Sequence, residues 1–376
     1  MLNSLYIKNY RNLKELKINS LGRVNLITGR NNTGKSTLLE AIAMYASKGD
    51  LNVIYQLLED RGETLSQGNA NTNLTETNIK IFSSLFNDRI VAFDMAHVIF
   101  IGNLENSLFG EKLSSENYIS FRFVKYIDEI YTDEQGNRSR KRRFFHNESD
   151  LLMDDYKIGF EINAGDSSYI LPLDEERPYR FGAYKHKNDD NIQFVRTRNI
   201  IRGANGSLFD NIALTDKEKY VIEALKMIEP LTERIAFVED KPRERSAVIK
   251  LANSAQVLPL QSMGDGINKI FTVILALVNA NNGFLLIDEF ENGLHYSVQE
   301  KLWTILFELS KKLNIQLFVT THSEDCIKGF EFVLNNSSGL FDGKLIRLDN
   351  ENGIIKQVEF NAKELKIAAE QDIEIR

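Results

Sequence analysis

The chain has 376 residues, of which 43% are hydrophobic and 26% are charged, and its formal net charge is −7 at pH 7. This length predicts two structural units or one large α/β body with insertions. The acidic balance excludes a globally basic nucleic-acid-binding protein, so any contact with nucleic acid must come from a local patch.

The amino terminus and the cysteine content indicate the compartment. Residues 1–12 have neither the apolar core nor the small-residue cleavage site of a secretory signal, and no apolar run reaches the roughly 18 residues of a membrane span. Cys326 is the single cysteine of the sequence, so no internal disulfide can form and no Cys/His cluster indicates structural zinc. We therefore expect a cytoplasmic protein without membrane contact.

The first motif of the chain is a glycine-containing loop between two regular elements. Residues 24–28 form a short apolar run that predicts a strand, and the apolar periodicity of residues 38–46 predicts a helix. Between them, residues 29–36 (GRNNTGKS) satisfy the eight-residue P-loop pattern. The alternative, a chance Gly- and Asn-rich turn, does not explain why the loop has a strand before it and a helix after it.

This P-loop predicts a nucleotide site. Its glycines let backbone N–H groups surround phosphate oxygens, and the following helix adds the positive end of its dipole. Lys35 is expected to bridge the β- and γ-phosphates of ATP, and Ser36 is expected to bind Mg²⁺ through its hydroxyl group. The candidate nucleotide-binding residues of the loop are Gly29, Asn31, Asn32, Thr33, Gly34, Lys35, Ser36 and Thr37.

The segment after this helix is predicted to be rich in strands. Residues 49–89 are polar and contain Asn/Thr-rich patches, which indicates an exposed or mobile segment. Residues 118–132 alternate between apolar and polar side chains, and residues 133–137 have the composition of a turn before a basic return strand, so a hairpin is expected. Further strands are predicted within residues 156–173.

The second half of the chain alternates between helices and strands. We expect a helix over residues 215–235, with Thr215 as its N-cap and Glu218 completing a capping box. A strand is expected within residues 246–260, and an apolar helix is expected over residues 268–279.

A second motif is the pair of carboxylates at the end of an apolar strand, residues 284–289 (FLLIDE). Asp288 is placed to hold Mg²⁺ through its water shell, and Glu289 is placed to polarise the attacking water. An apolar strand that ends in Asp-Glu is also common as a purely structural element. The P-loop upstream favours the catalytic interpretation.

A third motif places a histidine at the end of another strand. Residues 298–313 predict an amphipathic helix, residues 315–320 predict a buried strand, and His322 follows it. An imidazole at this position can reach the γ-phosphate and sense hydrolysis, although a single histidine is more often structural. After this strand we expect only a hairpin around residues 350–353 and a short terminal helix.

The order of these motifs resembles that of a known class of ATPases. A strand, P-loop and helix, followed by SMGDG, LLIDEFENGLH and VTTHS, resemble the ABC-class ATPases of the OLD, RecF and SMC-like group, above all the small bacterial AAA-family ATPases that share the ATPase core of OLD. The resemblance implies an α/β fold, a P-loop NTPase of the ABC type, with ATP and Mg²⁺ as ligands. It also implies a homodimer, or a higher homo-oligomer, in which two subunits sandwich ATP head-to-tail.

The resemblance also implies roles for further residues. Ser262 and Gly264 stand where the ABC signature caps the γ-phosphate of the partner subunit's ATP, although the usual LSGGQ is not kept. Residues 291–295 correspond to a segment of dimer contacts. Arg11 matches an amino-terminal basic residue near the nucleotide, or else is an ordinary arginine in a surface turn. Gln193 is the candidate for the family's Q-loop glutamine.

The resemblance divides the chain into regions. It covers residues 1–48 and 240–348, which we predict to form a discontinuous ABC-type ATPase core. Residues 49–239 are predicted to form an inserted lobe of β-hairpins and helices, and residues 349–376 a carboxy-terminal tail of a hairpin and a helix.

A basic run, residues 137–143 (NRSRKRR), stands out in this acidic chain. Such a run can bind phosphate groups or an acidic protein with salt-sensitive affinity. The alternative is a solvated hairpin strand neutralised by the acidic residues before it, Asp128, Glu129, Asp133 and Glu134. The five cations are Arg138, Arg140, Lys141, Arg142 and Arg143.

Three biological interpretations are compatible with these motifs. OLD nucleases carry a TOPRIM nuclease domain after the ATPase, and the sequence after His322 is too short for one, so we expect no nuclease centre in it. The first interpretation is an ATP-gated sensor or regulator of a bacterial anti-phage defence system that acts with a separate effector, such as a TOPRIM-type nuclease. The second is a RecF- or SMC-like ATPase of DNA repair or DNA-end binding, and the third is an ATP-gated scaffold without DNA contact. The acidic charge and the missing nuclease domain favour the first.

Overall fold

The structure is a computed structural model that describes residues 1–64, 73–107, 110–132, 138–145, 156–165, 167–175, 192–196, 202–241, 244–337, 339–371 and 375. Over these residues the chain is a mixed α/β protein with three sheets. The strands are β1 (Leu5–Tyr10), β2 (Leu13–Ile18), β3 (Val24–Thr28), β4 (Ile99–Ser107), β5 (Gly110–Thr132), β6 (Arg138–Phe145), β7 (Lys157–Ala164), β8 (Ser167–Pro172), β9 (Ile192–Val195), β10 (Thr232–Lys241), β11 (Glu244–Leu251), β12 (Val257–Pro259), β13 (Phe284–Ile287), β14 (Gln316–Thr320), β15 (Gly343–Glu351) and β16 (Ile354–Phe360). The α-helices are α1 (Lys35–Ala46), α2 (Leu51–Asp60), α3 (Leu74–Ser83), α4 (Arg202–Asp210), α5 (Glu218–Ile228), α6 (Asp265–Asn279), α7 (Gln299–Lys312), α8 (Glu324–Asn336) and α9 (Ala362–Glu370).

The central sheet has six strands in the order β16-β15-β3-β14-β13-β9. Its first five strands from the β9 edge are parallel, and β16 returns antiparallel beside β15. Strands β3, β13 and β14 are buried along their whole length, as expected for parallel strands that are covered on both faces. Because parallel strands end at the same edge, the loops after β3, β9, β13 and β14 meet there.

Helix α1 fixes the P-loop relative to two sheets. It contacts β9, β13 and β14 of the central sheet and β4 and β5 of a second sheet. Ten of its twelve residues are buried, so this helix is apolar on more than one face. Each buried Leu or Ile contributes about 1.5–3 kcal/mol to the free energy of folding. This packing fixes the position of Lys35, the first residue of the helix.

The second sheet is antiparallel and has the order β2-β1-β4-β5-β7-β8, with β6 paired to β5. Its inner face packs on α1 and on the two helices after it through a cluster of aromatic rings, in which the rings of Phe82 and Phe160 stack at 4.5 Å. On the other face of the central sheet, α6, α7 and α8 pack together around Trp303, and a three-stranded sheet, β10-β11-β12, lies beside α4 and α5.

Several predicted elements are confirmed. The strands at residues 24–28 and 284–287 have the expected bounds, and the helix after the P-loop and the amphipathic helix α7 are present. Strands β5 and β6 form the expected hairpin, with Arg142 opposite Asp128, whereas its turn lies outside the described residues. No helix of the described residues is both long enough and apolar enough to cross a membrane.

The prediction of an exposed segment over residues 49–89 is wrong for its described part, which contains α2 and α3. Asp50 caps α2 by accepting a hydrogen bond from the backbone N–H of Asn52 at 2.8 Å. The buried residues of α2 include Leu51, Ile54 and Leu58, at helical spacing. The polar composition of the whole segment concealed this short apolar face.

One other predicted helix differs in extent and in its cap. The helix expected over residues 215–235 is α5, which ends at Ile228, and Pro230 follows because it cannot continue a helix. Glu218 accepts a hydrogen bond from the N–H of Leu214 at 2.9 Å, so Thr215 is not the N-cap of a capping box.

Helix α8 was missed after β14. Its N-cap is Ser323, whose hydroxyl accepts a hydrogen bond from the N–H of Cys326 at 3.4 Å. Glu324 and Asp325 occupy the first turn of this helix, where the helix dipole favours negative charge. This pattern is an ordinary helix start.

The proposed division into residues 1–48 with 240–348, 49–239 and 349–376 stays a prediction. Strand pairing crosses each of these boundaries. Strand β1 pairs with β4, β9 joins the central sheet beside β13, and the carboxy-terminal hairpin is the edge of the same central sheet.

Candidate functional site

The loop before α1 has the backbone of an anion-binding site. Gly29 has a φ of 137°, and a Cβ atom there would lie 2.3 Å from the carbonyl oxygen of Leu348, so only glycine fits. Gly34 has a φ of 89° and precedes α1 without a side-chain cap on the helix. The first N–H groups of α1 are therefore available to a phosphate.

Lys35 is folded back onto this loop. Its Nζ donates hydrogen bonds to the carbonyl oxygens of Gly29 and Arg30, each at 2.7 Å, and the residue is 7% exposed. Burial lowers the pKa of the Lys35 ammonium below its usual value, and Asp288 is the first of the carboxylates that counter this shift. The ammonium is thus held where phosphate oxygens can replace the two carbonyls.

Ser36 and Asp288 meet although 252 positions separate them in the sequence. The hydroxyl of Ser36 donates to Oδ1 of Asp288 at 3.2 Å. The hydroxyl of Thr320, at the end of β14, donates to the same oxygen at 2.6 Å. Three neighbouring strands of the central sheet thus deliver one cluster of oxygen atoms.

This cluster fits Mg²⁺. The ion prefers oxygen ligands and usually keeps several waters and substrate phosphates in its shell. Ser36 would bind the ion through its hydroxyl, and Asp288 would hold it through its water shell, which are the roles expected of them from the sequence. Within the described residues, no group of three or more His, Cys, Asp or Glu side chains could hold a metal ion.

Glu289 follows Asp288 in a left-handed backbone conformation, with a φ of 49°. Its N–H donates to the hydroxyl of Thr320 at 2.9 Å, and the side-chain amide of Asn292 donates to its Oε2 at 2.8 Å. Its Oε1 lies 4.0 Å from Nε2 of His322. Such strained backbone at a cleft is typical of functional sites, and it presents a solvent-accessible carboxylate beside an imidazole.

Glu291 contacts the turn that carries His322, which the sequence analysis did not foresee, since it assigned residues 291–295 to dimer contacts only. Its Oε1 accepts a hydrogen bond from the N–H of His322 at 2.7 Å, and its Oε2 accepts one from the hydroxyl of Thr321 at 2.8 Å. The spacing Asp-x-x-Glu after a strand gave no signal of this contact, because the partner turn lies after a different strand.

Arg11 lies at the cleft, as expected from the resemblance, and is 9% exposed. Its guanidinium donates two hydrogen bonds to Glu63, at 3.0 and 2.8 Å, and its Nε lies 3.2 Å from Glu40. Arg61 reaches Glu40 at 2.8 Å and donates to the hydroxyl of Thr37 at 3.3 Å. Arg11 is therefore a buried, ion-paired residue and not an ordinary arginine of a surface turn.

The edge strand β9 brings Arg196 to the same edge of the sheet. The N–H of Asp288 donates to the carbonyl of Val195 at 2.9 Å, and Arg196 forms an ion pair with Asp60. Gln193, the Q-loop candidate, lies inside this strand opposite Leu285. It is therefore in regular structure and not in a loop.

A cleft of about 760 Å³ lies at this edge of the central sheet. The predicted residues that the structure brings together there are Arg11, Asn31, Asn32, Gly34, Lys35, Ser36, Thr37, Asp288, Glu289 and His322. Ser262 and Gly264 lie outside its lining, exposed at the start of α6. The hydroxyl of Ser262 donates to the carbonyl of Pro259 at 2.7 Å, and no atom lies within 4 Å of a Cβ placed on Gly264.

Comparison with known proteins gives matches over most of the chain. Residues 24–325 match the family model described as "AAA domain, putative AbiEii toxin, Type IV TA system". An ATP/GTP phosphatase of Helicobacter pylori is 24% identical over 378 residues, which cover 94% of this chain and 93% of that protein. A solved structure of an SMC head bound to the C-winged helix domain of ScpA is similar, with 13% identity and a TM-score of 0.49 over 98% of this chain and 99% of that chain. An SMC head domain from Thermotoga maritima is also similar, with 12% identity and a TM-score of 0.45 over 96% of this chain and 99% of that chain.

Proposed function

This chain belongs to the AAA-domain family that its residues 24–325 match and is an ATPase, and we propose that it hydrolyses ATP in the cleft between the P-loop and the ends of β13 and β14. The observation that carries the proposal is the 3.2 Å contact between Ser36 and Asp288. It brings a phosphate-binding loop and a pair of carboxylates into one cluster, which is the arrangement that phosphoryl transfer to water requires.

In this proposal each residue has one task. The N–H groups at the start of α1 hold the phosphates, and Lys35 exchanges its two carbonyl contacts for phosphate oxygens. Mg²⁺ held by Ser36 and Asp288 would neutralise part of the phosphate charge. Glu289 accepts the proton of the attacking water, since its carboxylate faces the cleft and is already oriented by Asn292.

His322 assists Glu289 in the same step. Its imidazole lies 4.0 Å from Glu289 and lines the cleft with it. A donor at this place can hold the water or the γ-phosphate in line with Glu289. Catalysis of this type is mainly positioning and charge stabilisation.

The proposed active form is a homodimer or a higher homo-oligomer. Ser262 and Gly264 are exposed and do not line the cleft of their own chain, so a nucleotide that they cap would belong to a second copy. In the proposed dimer, the turn at residues 262–266 of one subunit closes the cleft of the other.

The biological role that we favour is regulation of a bacterial defence system together with a separate effector protein. The family description names a toxin–antitoxin system, which has more than one component. If this role is correct, a predicted nuclease should be encoded beside this chain, and loss of ATP hydrolysis should remove protection against phage in a plating assay. Replication or repair genes beside it, with unchanged phage plating, would instead support the DNA-repair interpretation.

The substitution Lys35→Ala tests the nucleotide site. We expect it to abolish ATP binding, because it removes the ammonium that acts on the ground-state phosphates, and phosphate release should stop with it. Equilibrium binding of a fluorescent ATP analogue and phosphate release are the measurements. Lys301→Ala, at an exposed position on α7, is the matched control and should behave as wild type. Wild-type binding by Lys35→Ala would refute the proposed site.

A further inference from the structure

Behind Glu289, a second carboxylate joins the ends of two strands. Glu291 follows β13, and both of its oxygens contact the turn after β14, through the N–H of His322 at 2.7 Å and the hydroxyl of Thr321 at 2.8 Å. The hydroxyl of Thr321 in turn accepts a hydrogen bond from the N–H of Ser323 at 3.0 Å. The direction in which His322 leaves β14 therefore depends on Glu291.

A buried lysine lies beside the segment that follows this carboxylate, since Lys269 lines one cavity together with Asn292 and Gly293. Lys269 is on α6, and the residue is 4% exposed. Burial lowers the pKa of its ammonium, and Glu291 is the carboxylate that counters this shift most, before Glu289 and Asp288. A buried cation is unfavourable unless opposite charge stabilises it, and these three carboxylates are its source of negative charge.

The same helix begins at the exposed turn that carries Ser262 and Gly264. A Cβ placed on Gly266, in the first turn of α6, would lie 3.1 Å from the carbonyl oxygen of Gly293. The start of α6 thus packs directly on the segment that contains Glu291 and Asn292. In that segment, Asn292 contacts Glu289 and Glu291 contacts the N–H of His322.

We propose that Glu291 is a positioning residue for ATP hydrolysis, because it fixes His322 beside Glu289, and that Lys269 supplies the buried positive charge that keeps Glu291 in place. The inference rests on the proposed function of the cleft. It makes α6 the connection between the exposed turn at residues 262–266 and the hydrolytic carboxylate of the same chain.

The chain offers variants that separate charge from shape. Glu291→Ala removes both hydrogen bonds to the turn. Glu291→Gln can keep both, since its amide oxygen accepts from the N–H of His322 and its amide nitrogen donates to the hydroxyl of Thr321. Lys269→Met removes the charge but keeps the unbranched stem, and Lys269→Arg restores a cation.

We expect Glu291→Ala to lower kcat by about 10–100-fold, which is the usual effect of losing a residue that orients a catalytic group, and to change the KM for ATP by less than about twofold. Glu291→Gln should lie closer to wild type, and Lys269→Met should lower kcat with partial recovery in Lys269→Arg. The effects of Lys269→Met and Glu291→Ala should not add in the double variant, because they act on one group. Glu300→Ala, at an exposed position of α7, is the control.

The measurements are steady-state ATP turnover, with the folded fraction of each variant fixed by thermal unfolding. If Glu291→Ala and Lys269→Met lose stability while the kcat per folded molecule stays at the wild-type value, the two residues are only structural and the inference is wrong. Additive effects of Lys269→Met and Glu291→Ala would also overturn it. If Glu289→Gln itself leaves turnover unchanged, the failure lies in the proposed function of the cleft and not in this inference alone.

Discussion

Two pairs of carboxylates lie at or just behind the cleft, and they differ in the groups that contact them. Glu40 and Glu63 receive guanidinium groups at 2.8–3.2 Å. Asp288 and Glu289 receive hydroxyl and amide groups. The first pair is neutralised by cations of its own chain and therefore holds the amino-terminal layer in place. The second pair is the one to which we assign the metal ion and the proton of the attacking water.

The largest expected effect on folding is at the first pair. Arg11→Met leaves the carboxylates of Glu40 and Glu63 without their most buried cation, and loss of one partner of a buried ion pair typically costs about 3–5 kcal/mol. Urea denaturation should show a correspondingly lower free energy of unfolding. Arg143→Met is the matched control, since Arg143 is 64% exposed and 3.5 Å from Glu129, and exposed pairs contribute about 0.2–1 kcal/mol. Equal losses in the two variants would remove the distinction drawn between the pairs.

A mixed dimer tests whether the site that contains Asp288 and Glu289 is complete within one chain. Lys35→Ala and Ser262→Arg should each be inactive alone, because one lacks the phosphate-binding cation and the other blocks the capping turn. In a mixed dimer both lesions fall on one composite site, so random exchange in a two-fold dimer should restore about a quarter of the wild-type sites. Phosphate release by the mixture is the measurement. No recovery, with mixed dimers verified by differently tagged chains, would argue against capping by a second subunit.

The smallest effect on ATP turnover is expected at the basic strand β6, where arginines again face carboxylates. The described cations Arg142 and Arg143 pair across the hairpin with Asp128 at 3.2 Å and with Glu129 at 3.5 Å, which agrees with the solvated-strand interpretation at these two positions. The side chains of Arg138, Arg140 and Lys141 lie outside the described residues.

Reversal of all five charges in this run should leave basal ATP turnover at the wild-type level. If the run binds DNA, each phosphate contact that is lost should lower the salt slope of duplex binding by about 0.9. A fluorescence titration of duplex DNA at several salt concentrations measures that slope. Undetectable binding by wild type at low salt would exclude the nucleic-acid interpretation. Full biological activity of the reversed variant would support the interpretation of β6 as a solvated strand.

Much of the candidate site at the end of the central sheet could be predicted from the sequence, because its motifs are local. A P-loop combines spacing, glycines and flanking elements within a dozen residues, and an apolar strand that ends in Asp288 and Glu289 is equally compact. The resemblance to AAA-family ATPases is confirmed by the family match. The finer resemblance to OLD and the defence role remain proposals.

The remaining parts of the site depend on contacts between distant segments. Glu63 and Arg196 belong to regions of the sequence without a motif. Packing of the segment after α2 brings Glu63 to the cleft, and pairing of β9 with β13 brings Arg196 to the same edge of the central sheet. Glu291 and Lys269 are likewise separated in sequence, and only tertiary packing places Lys269 beside the residues that follow Glu291. Local patterns carry no information about such contacts, and this is the physical reason why these four residues were missed.

The most direct test of the account is a single-turnover measurement on pre-bound ATP with Glu289→Gln, beside Glu300→Gln as the control at an exposed position. Glutamine keeps the size of the side chain but cannot accept the proton, so ATP should bind with wild-type affinity while hydrolysis slows by about 10²–10⁴-fold, the usual effect of losing a general base. Hydrolysis at the wild-type rate by Glu289→Gln would contradict the assignment of the cleft as the site where water is activated.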